Sequence, residues 1–479
     1  MLIKNATIWP GREAQDIRFS VDGIEAISEL LTPNEGEAIL DAQGAIVLPG
    51  LHDHHIHLNS YAASISSLSC EPLADGQAFE NLLRSQEDSE TAPELRIIHY
   101  HEGIAGDLDR FYLDRLLPKR AARVQHKTGR LWVFNSAGLR AFGLDPDLPA
   151  NRQHIITPVG LEHQDGVLTG RLYDEDNWLQ KRRRALPPDL TEASLRLASF
   201  GVTGATDTTP SNGLAEWNIF RRAQNEGALK QRVRVMGRLE LAQLETSDKI
   251  TLGEHKIHLL ESELPLLETV VEQIRCAHKS GRSVAVHCAT RVELIFTLGA
   301  FESAGARAGD RIEHNSVCGD HELSIIRDLG LRVVTQPHFI QQRGDHYLTD
   351  VEPHDVPDLY RLASVERAGI PLAFGSDAPF GDANPWRAIW AANTRRTQAG
   401  RIVGEQEAVS VEKALEGFLY RADQPGAELS KVAVGEPADL VLLKAPWSVI
   451  AAKRDLNPVA RTWIGGQEIY RAPSISRTI

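Results

Sequence analysis

The feature that most constrains this chain is a unit that repeats in kind rather than in letters. A helical stretch ends in glycine, and a short apolar strand follows within a few residues. The unit occurs at Gly201 before Val202–Asp207, at Gly281 before Val284–His287, and at Gly305 before Arg311–His314. It recurs at Gly330 before Leu331–Gln336 and at Gly369 before Ile370–Asp377. Glycine suits the residue after a helix, because that position is often left-handed and a Cβ is costly there. The segments between carry the helical period: Leu267, Val270, Val271 and Ile274 form one stripe, and Leu294, Leu298 and Phe301 another. Thr290 with Glu293 reads as a capping box, and Asp320 as the N-cap of the next helix. Strands alternating with helices at this spacing predict parallel βαβ units, closed into a barrel or laid out as a doubly wound sheet.

The two ends differ from this middle. Residues 1–49 and 430–479 contain short alternating stretches separated by turn residues, without helical periods, and are expected to pair into one small composite β-domain. Residues 76–190 break the rhythm and read as an insertion after the first barrel strand. The barrel is then expected over 50–75 and 191–429. Loops that follow barrel strands shape active sites, so an insertion of this size is expected to cover one.

The strongest local signal is Pro49-Gly50-Leu51-His52-Asp53-His54-His55-Ile56-His57-Leu58. On a strand, His55 and His57 share a face and both reach one ion. His52 and His54 fall outside that pair and are expected in outer positions or facing solvent. Later strands also finish in ligand-type residues: His287, then Glu313-His314, then Asp377. In a barrel the C-terminal strand ends converge on one site. Histidines and an aspartate placed there predict a metal centre.

With 479 residues, the chain has room for one large barrel with attachments. A formal net charge of −13, spread along the chain, leaves no basic stripe for nucleic acid. The one basic run, Lys181 to Arg184, reads as a solvated helix face. Cys70, Cys276, Cys288 and Cys318 lack CxxC spacing, which suits thiols in a reducing compartment. Cys288 follows His287, points the other way on a strand, and is expected in the core. The first residues are too short and polar a stretch for a signal peptide, and no apolar run is long enough to span a bilayer. A cytoplasmic location is expected, with a small-molecule substrate and no membrane or nucleic-acid partner. A homodimer is open at this size.

Taken together, these motifs resemble the amidohydrolase superfamily, and within it the YtcJ-like branch that includes N-substituted formamide deformylases. The likeness rests on the "PGLHDHHIH" opening, the histidine-ended strands, the "GSDAPFGDANPW" segment and the closing "GEPADLVLL" and "TWIGG" pieces, and it runs nearly the whole length. It implies an α/β fold, a (β/α)8 TIM barrel. It also implies that His55 and His57 bind the more buried ion, that His287 and His314 bind a second, and that Asp377 binds the first and acts as base toward the water. Lys256 falls where the family places a lysine carboxylated by CO2, an anionic bridge between the ions. The implied cofactor is two zinc ions, although manganese, iron, cobalt or nickel would suit the same ligands. Such ions acidify bound water and polarise a carbonyl, and Asp377 passes the proton to a leaving amine.

Further candidates are less sharply marked. His338, just past the seventh strand, is a candidate for polarising the carbonyl or touching substrate, with a loop-capping role equally open. Arg343 is a substrate candidate on the same stretch, where pairing with Asp345 is the other reading. His126 and Asn135 resemble a family segment on the substrate side. Trp132 between them is weighed as recognition or packing. The expected reaction is hydrolysis of a C–N bond in an N-acyl or N-formyl amine. Hydrolysis of a cyclic amide, or deamination, uses the same centre and is the alternative. A non-catalytic relative would have lost metal ligands, and here every position is filled.

Overall fold

The computed structural model describes residues 1–473 apart from 12, 88–93, 176, 177, 180, 181 and 183–186. The basic run at 181–184 lies, except for Arg182, outside the described residues. The chain forms two compact units, Met1–Tyr61 with Asp189–Ile479, and Ala62–Pro188.

The first unit contains an eight-stranded parallel sheet in sequential order. Its strands are β1 (Leu51–Ile56), β2 (Val202–Asp207), β3 (Arg232–Gly237), β4 (Ile250–Ile257), β5 (Val284–Cys288), β6 (Arg311–His314), β7 (Arg332–Thr335) and β8 (Leu372–Phe374). Each pairs in parallel with the next, from Gly204 against Arg232 through to Thr335 against Phe374. Between β8 and β1 there is no ladder, and three backbone bonds take its place. Asp377 N–H donates to His55 O at 2.6 Å, while Gly417 O and Phe418 O accept from Phe374 N–H and His52 N–H at 2.9 and 2.7 Å. Gly375 permits this approach, because a Cβ there would stand 2.4 Å from the His55 nitrogen. The sheet is thus a nearly closed (β/α)8 barrel.

Helices between the strands bury the stripes that the sequence marks. Val270, Val271 and Ile274 are interior on Leu267–Lys279, and Leu294, Leu298 and Phe301 on Arg291–Ala304. Thr290 and Glu293 form the capping box as read. The next helix, Asp320–Asp328, is capped by Gly319 rather than Asp320. Glu322 accepts from the Gly319 N–H at 2.9 Å, so the cap's partner comes from inside the helix.

The same unit contains a second sheet built from both chain ends. Gln467–Arg471, Val459–Ile464, Leu440–Leu443, Ile46–Pro49, Leu2–Ile8, Ala14–Ser20 and Gly23–Ser28 follow one another across it, and Ile39–Asp41 pairs with Leu2–Ile8. Ile3, Ile17, Phe19, Val47, Leu440 and Trp463 fill its core.

The second unit holds a six-stranded sheet, from Leu161–Gln164 through Val167–Tyr173, Leu131–Phe134, Ala121–His126 and Glu94–Tyr100 to Leu68–Ser69. Two apolar clusters support it, one around Phe79, Leu113 and Val124 and one around Phe134, Leu139 and Leu168. Among the described residues no helix is long and apolar enough to cross a membrane.

Candidate metal centre

The site begins with an irregularity in β1. Asp53 pairs with Ala205 and Ile56 with Asp207, so β1 carries one residue more than β2 between those points. Such a bulge shifts the side-chain alternation by one. His52 and His54 therefore lie inside the barrel, as His55 and His57 do. His52 is bonded to Thr206 Oγ1 at 2.8 Å, and the His54 side chain is fully enclosed. Of the two places expected for them, outer positions or solvent, their burial excludes solvent.

His55 and His57 each direct Nε2 at the same oxygen, Asp377 Oδ1, at 3.4 and 3.2 Å. Their other nitrogens are held from behind: His55 Nδ1 by Glu313 Oε2 at 2.5 Å, and His57 Nδ1 by Thr209 Oγ1 at 2.8 Å. His314 is held likewise, Nδ1 to Gln336 Oε1 at 2.8 Å. Bonds of this kind fix which nitrogen is left to bind an ion. Burial also pushes the His314 imidazole down to about 3, so it is neutral and its lone pair is free. One ligand atom from each of His55, His314 and Asp377 lies within 4.8 Å of the others.

The imidazole of His287, on β5, has its ring centroid 4.4 Å from that of His314. Lys256 enters from β4 and is 5% exposed. Its Nζ has no hydrogen-bond partner, and the nearest carboxylate oxygen, Glu313 Oε1, is 4.0 Å away. Burial holds the Lys256 amine down to about 8, against the upward pull of Glu313.

Two of these residues occupy strained backbone. His314 has φ 69° and Asp377 φ 52°, a left-handed region that non-glycine residues seldom adopt. At His314 this breaks the strand alternation, so Glu313 and His314 both face the centre although they are neighbours. Burial alone would push the Asp377 carboxyl up, and the His55 and His57 imidazoles override it and hold it well below the usual range.

The donor set fits a divalent metal. Imidazole nitrogens and a carboxylate converge from β1, β6 and β8, with a further imidazole on β5 and a buried amine without a partner on β4. His55 stands between two carboxylates, Glu313 and Asp377, which together pull its pKa up against burial. A cation facing Asp377 would relieve that excess of negative charge.

The sequence model of the amidohydrolase family matches residues 38–470. The chain belongs to the amidohydrolase family. An N-substituted formamide deformylase of Arthrobacter pascens is 23% identical over 491 residues, covering 89% of each chain. Two solved structures of uncharacterized metal-dependent hydrolases share the fold. That from Pyrococcus horikoshii OT3 has a TM-score of 0.74 at 20% identity, covering 92% of this chain and 96% of its own. That from Pyrococcus furiosus has a TM-score of 0.73 at 22% identity, covering 92% and 98%.

The remaining candidates in this amidohydrolase take varied places. His338 is fully enclosed, and burial pushes it down to about 4, which keeps the ring neutral. Its Nε2 is bonded to the carbonyl of Ser376 at 3.0 Å, the residue before Asp377. It therefore props the turn that carries Asp377. Arg343 does not pair with Asp345. It donates to Phe380 O at 2.5 Å and lies over the Phe339 ring, while Asp345 accepts from Thr397 and Arg401.

The other three candidates belong to the second unit. His126 is bonded to Thr128 Oγ1 at 2.8 Å and pairs with Glu102 at 3.2 Å. Trp132 is buried beneath the guanidinium of Arg123, 4.7 Å from its ring. Asn135 is a helix cap. It accepts from Ala122 N–H and Gly138 N–H, and donates to Leu117 O and Arg120 O. Those four bonds fill the capacity of its amide, so Asn135 is corrected from a substrate contact to a structural residue, and of the two readings weighed for Trp132 its burial favours packing.

Three residues at the centre went unassigned in the sequence: Glu313, Thr209 and Gln336. Glu313 stood beside His314 in the same strand, but regular alternation would have turned it away. His258, two residues after Lys256, also joins the cluster, its ring 4.5 Å from that of His287.

Proposed function

We propose that this chain hydrolyses a linear amide, an N-formyl or N-acyl amine, to a carboxylate and a free amine. His55, His57 and Asp377 would hold one zinc ion, His287 and His314 a second, and a carboxylated Lys256 would bridge them. The observation that carries this reading is the partnerless Lys256 Nζ, enclosed on β4 beside the imidazoles of β1, β5 and β6. The name of the Arthrobacter pascens relative supports the substrate class.

Carboxylation uses CO2. The lone pair of the neutral Nζ forms the new N–C bond, one C–O π pair moves onto oxygen, and an N–H proton goes to solvent. When bound, the metal supplies a Lewis acid and an acidified water. Asp377 lies against both His55 and His57, so it is placed to accept a proton from the attacking water. It then donates that proton to the amide nitrogen, which leaves as a neutral amine. His338 fixes the Ser376 carbonyl and so the entry to the Asp377 turn.

Elemental analysis of protein grown with zinc and bicarbonate, followed by a screen of N-formyl and N-acyl amines, tests this. About two ions per chain are expected, lost in Lys256→Ala, with release of amine from at least one substrate class. One ion per chain, unaltered by Lys256→Ala, would replace the bridge with a mononuclear site and favour deamination or cyclic-amide hydrolysis.

A further inference from the structure

Glu313 has no place in the ligand set above, yet it lies against two members of that set, His55 and Lys256. Its side chain is fully enclosed, and its two oxygens face groups from three strands. Oε2 lies 2.5 Å from His55 Nδ1 on β1. Oε1 accepts from Arg311 Nε on its own strand and lies 4.0 Å from Lys256 Nζ on β4. Arg311, also fully enclosed, donates through Nη2 to the carbonyl of His54 at 2.8 Å, the residue before His55.

We propose that Glu313 is a positioning residue that sets both ion sites at once, directing His55 Nε2 at one ion and orienting the carboxylated Lys256 that bridges to the other. The second half rests on the binuclear reading above, and the first half does not. A carboxylate on Nδ1 makes that nitrogen the N–H donor, so the Nε2 lone pair faces Asp377 and the ion. After carboxylation Nζ keeps one hydrogen, and Oε1 is the nearest carboxylate oxygen to receive it. A shift of about 1 Å brings that pair into hydrogen-bond range.

A purely structural Arg311–Glu313 pair would account for one oxygen only. It would leave unexplained why the other oxygen meets a ligand ring. Arg311 serves a separate end, since a carboxylate this deep needs a compensating cation. Glutamine at 313 breaks the arrangement by chemistry rather than by size. If its amide oxygen meets His55, its NH2 is driven against the Arg311 donors. If it turns over, its NH2 meets Nδ1, forces the other tautomer, and puts an N–H where the ion binds.

The test compares wild type, Glu313→Gln, and the double variant Arg311→Met with Glu313→Leu, which leaves neither an orphaned cation nor an acceptor for His55 Nδ1. Folding is checked first by circular dichroism and thermal melting. Each protein is then loaded with zinc in ¹³C-bicarbonate. Zinc affinity is read by competition with a chromophoric chelator, and the carbamate carbon by ¹³C NMR. A 10- to 100-fold loss of zinc affinity is expected in the folded variants, the range typical for such supporting partners, with loss of the carbamate signal. A folded double variant that binds zinc within about three-fold of wild type and keeps that signal overturns the proposal.

Wild type showing one ion and no carbamate signal removes the binuclear reading and with it the Lys256 half. The His55 half then stands or falls on the affinity of the remaining ion in Glu313→Gln. If neither variant folds, cobalt-loaded wild type decides. A hyperfine-shifted imidazole N–H protected from exchange is expected for His55 Nδ1. Finding every shifted N–H in rapid exchange overturns the assignment.

Discussion

On the β1 and β8 side of the centre each ligand is held at both ends, whereas on the β4 and β5 side the ligands have neighbours but few bonds. His55 and His57 are fixed behind by Glu313 and Thr209 and in front by Asp377. Lys256 Nζ has no hydrogen bond, and the closest carboxylate to His287 Nε2 is Glu293, at 4.0 Å. The His287 side chain is 21% exposed against 1% for His55. His314 lies between these extremes, anchored by Gln336. The difference teaches that the β1 and β8 side is organised by the fold itself, while the β4 and β5 side, where the proposed second ion would bind, would be completed by what arrives there.

The largest effect should come from the residue that closes the organised side. Asp377→Asn keeps the shape and the bonds offered to His55 and His57, but removes the proton acceptor. Loss of a positioned general base costs about 10²- to 10⁴-fold in rate. Turnover of a responsive N-formyl or N-acyl amine by zinc-loaded protein should fall by that factor, with metal content measured in parallel. Turnover within ten-fold of wild type, with full metal, would remove Asp377 from the proton path.

How much of this was legible in the sequence follows from where regular geometry holds. The barrel strands at Val202–Asp207 and Arg311–His314 have the bounds read from the sequence, because a helix-ending glycine precedes each and a ligand-type residue ends it. Strand β3 was overlooked. Its alternation of arginine and apolar residues, Arg232-Val-Arg-Val, resembles a half-solvated edge rather than a barrel strand. Inside the fold, Arg232 pairs with Asp439 and Arg234 with Glu254. The grouping of His55, His57, His287, His314 and Asp377 was legible because strand ends converge. Their supporting residues were not, because each depends on a departure from regularity. The bulge in β1 brings in His52 and His54, and the left-handed His314 turns Glu313 to the centre. Asn135 misled in the opposite way: an asparagine in a family-like segment reads as a contact, and only the fold reveals that it caps Ser136–Ala141.

The contrast between the two sides is sharpened by removing one imidazole from each. His55→Ala deletes a ligand that the structure holds in place, so its full contribution is lost. His287→Ala deletes one whose orientation has to be fixed on binding, which already lowers its worth. In chelator competition, His55→Ala should weaken the tighter zinc site by at least ~10-fold more than His287→Ala does, in keeping with the scale of ligand-support effects. Equal losses, or the reverse order, would break the distinction between an organised and a completed site.

The smallest effect concerns the completed side, and pH reveals it. Burial lowers the Lys256 amine to about 8 in the metal-free protein, so the ammonium predominates below that value and the neutral amine above it. Only the neutral amine adds to CO2. Between pH 7 and pH 8 the neutral fraction rises about five-fold, by ordinary titration around a pKa of about 8. For chelator-stripped protein given zinc at a fixed concentration of dissolved CO2, the initial rate of regaining the second ion should rise by about that factor over this interval, and it should level off above pH 9. Because the lowered pKa belongs to the amine, the rate should rise with pH rather than fall. A flat profile, or recovery that ignores CO2, would mean that the second site is completed without Lys256, and that the open side owes its looseness to solvent access alone.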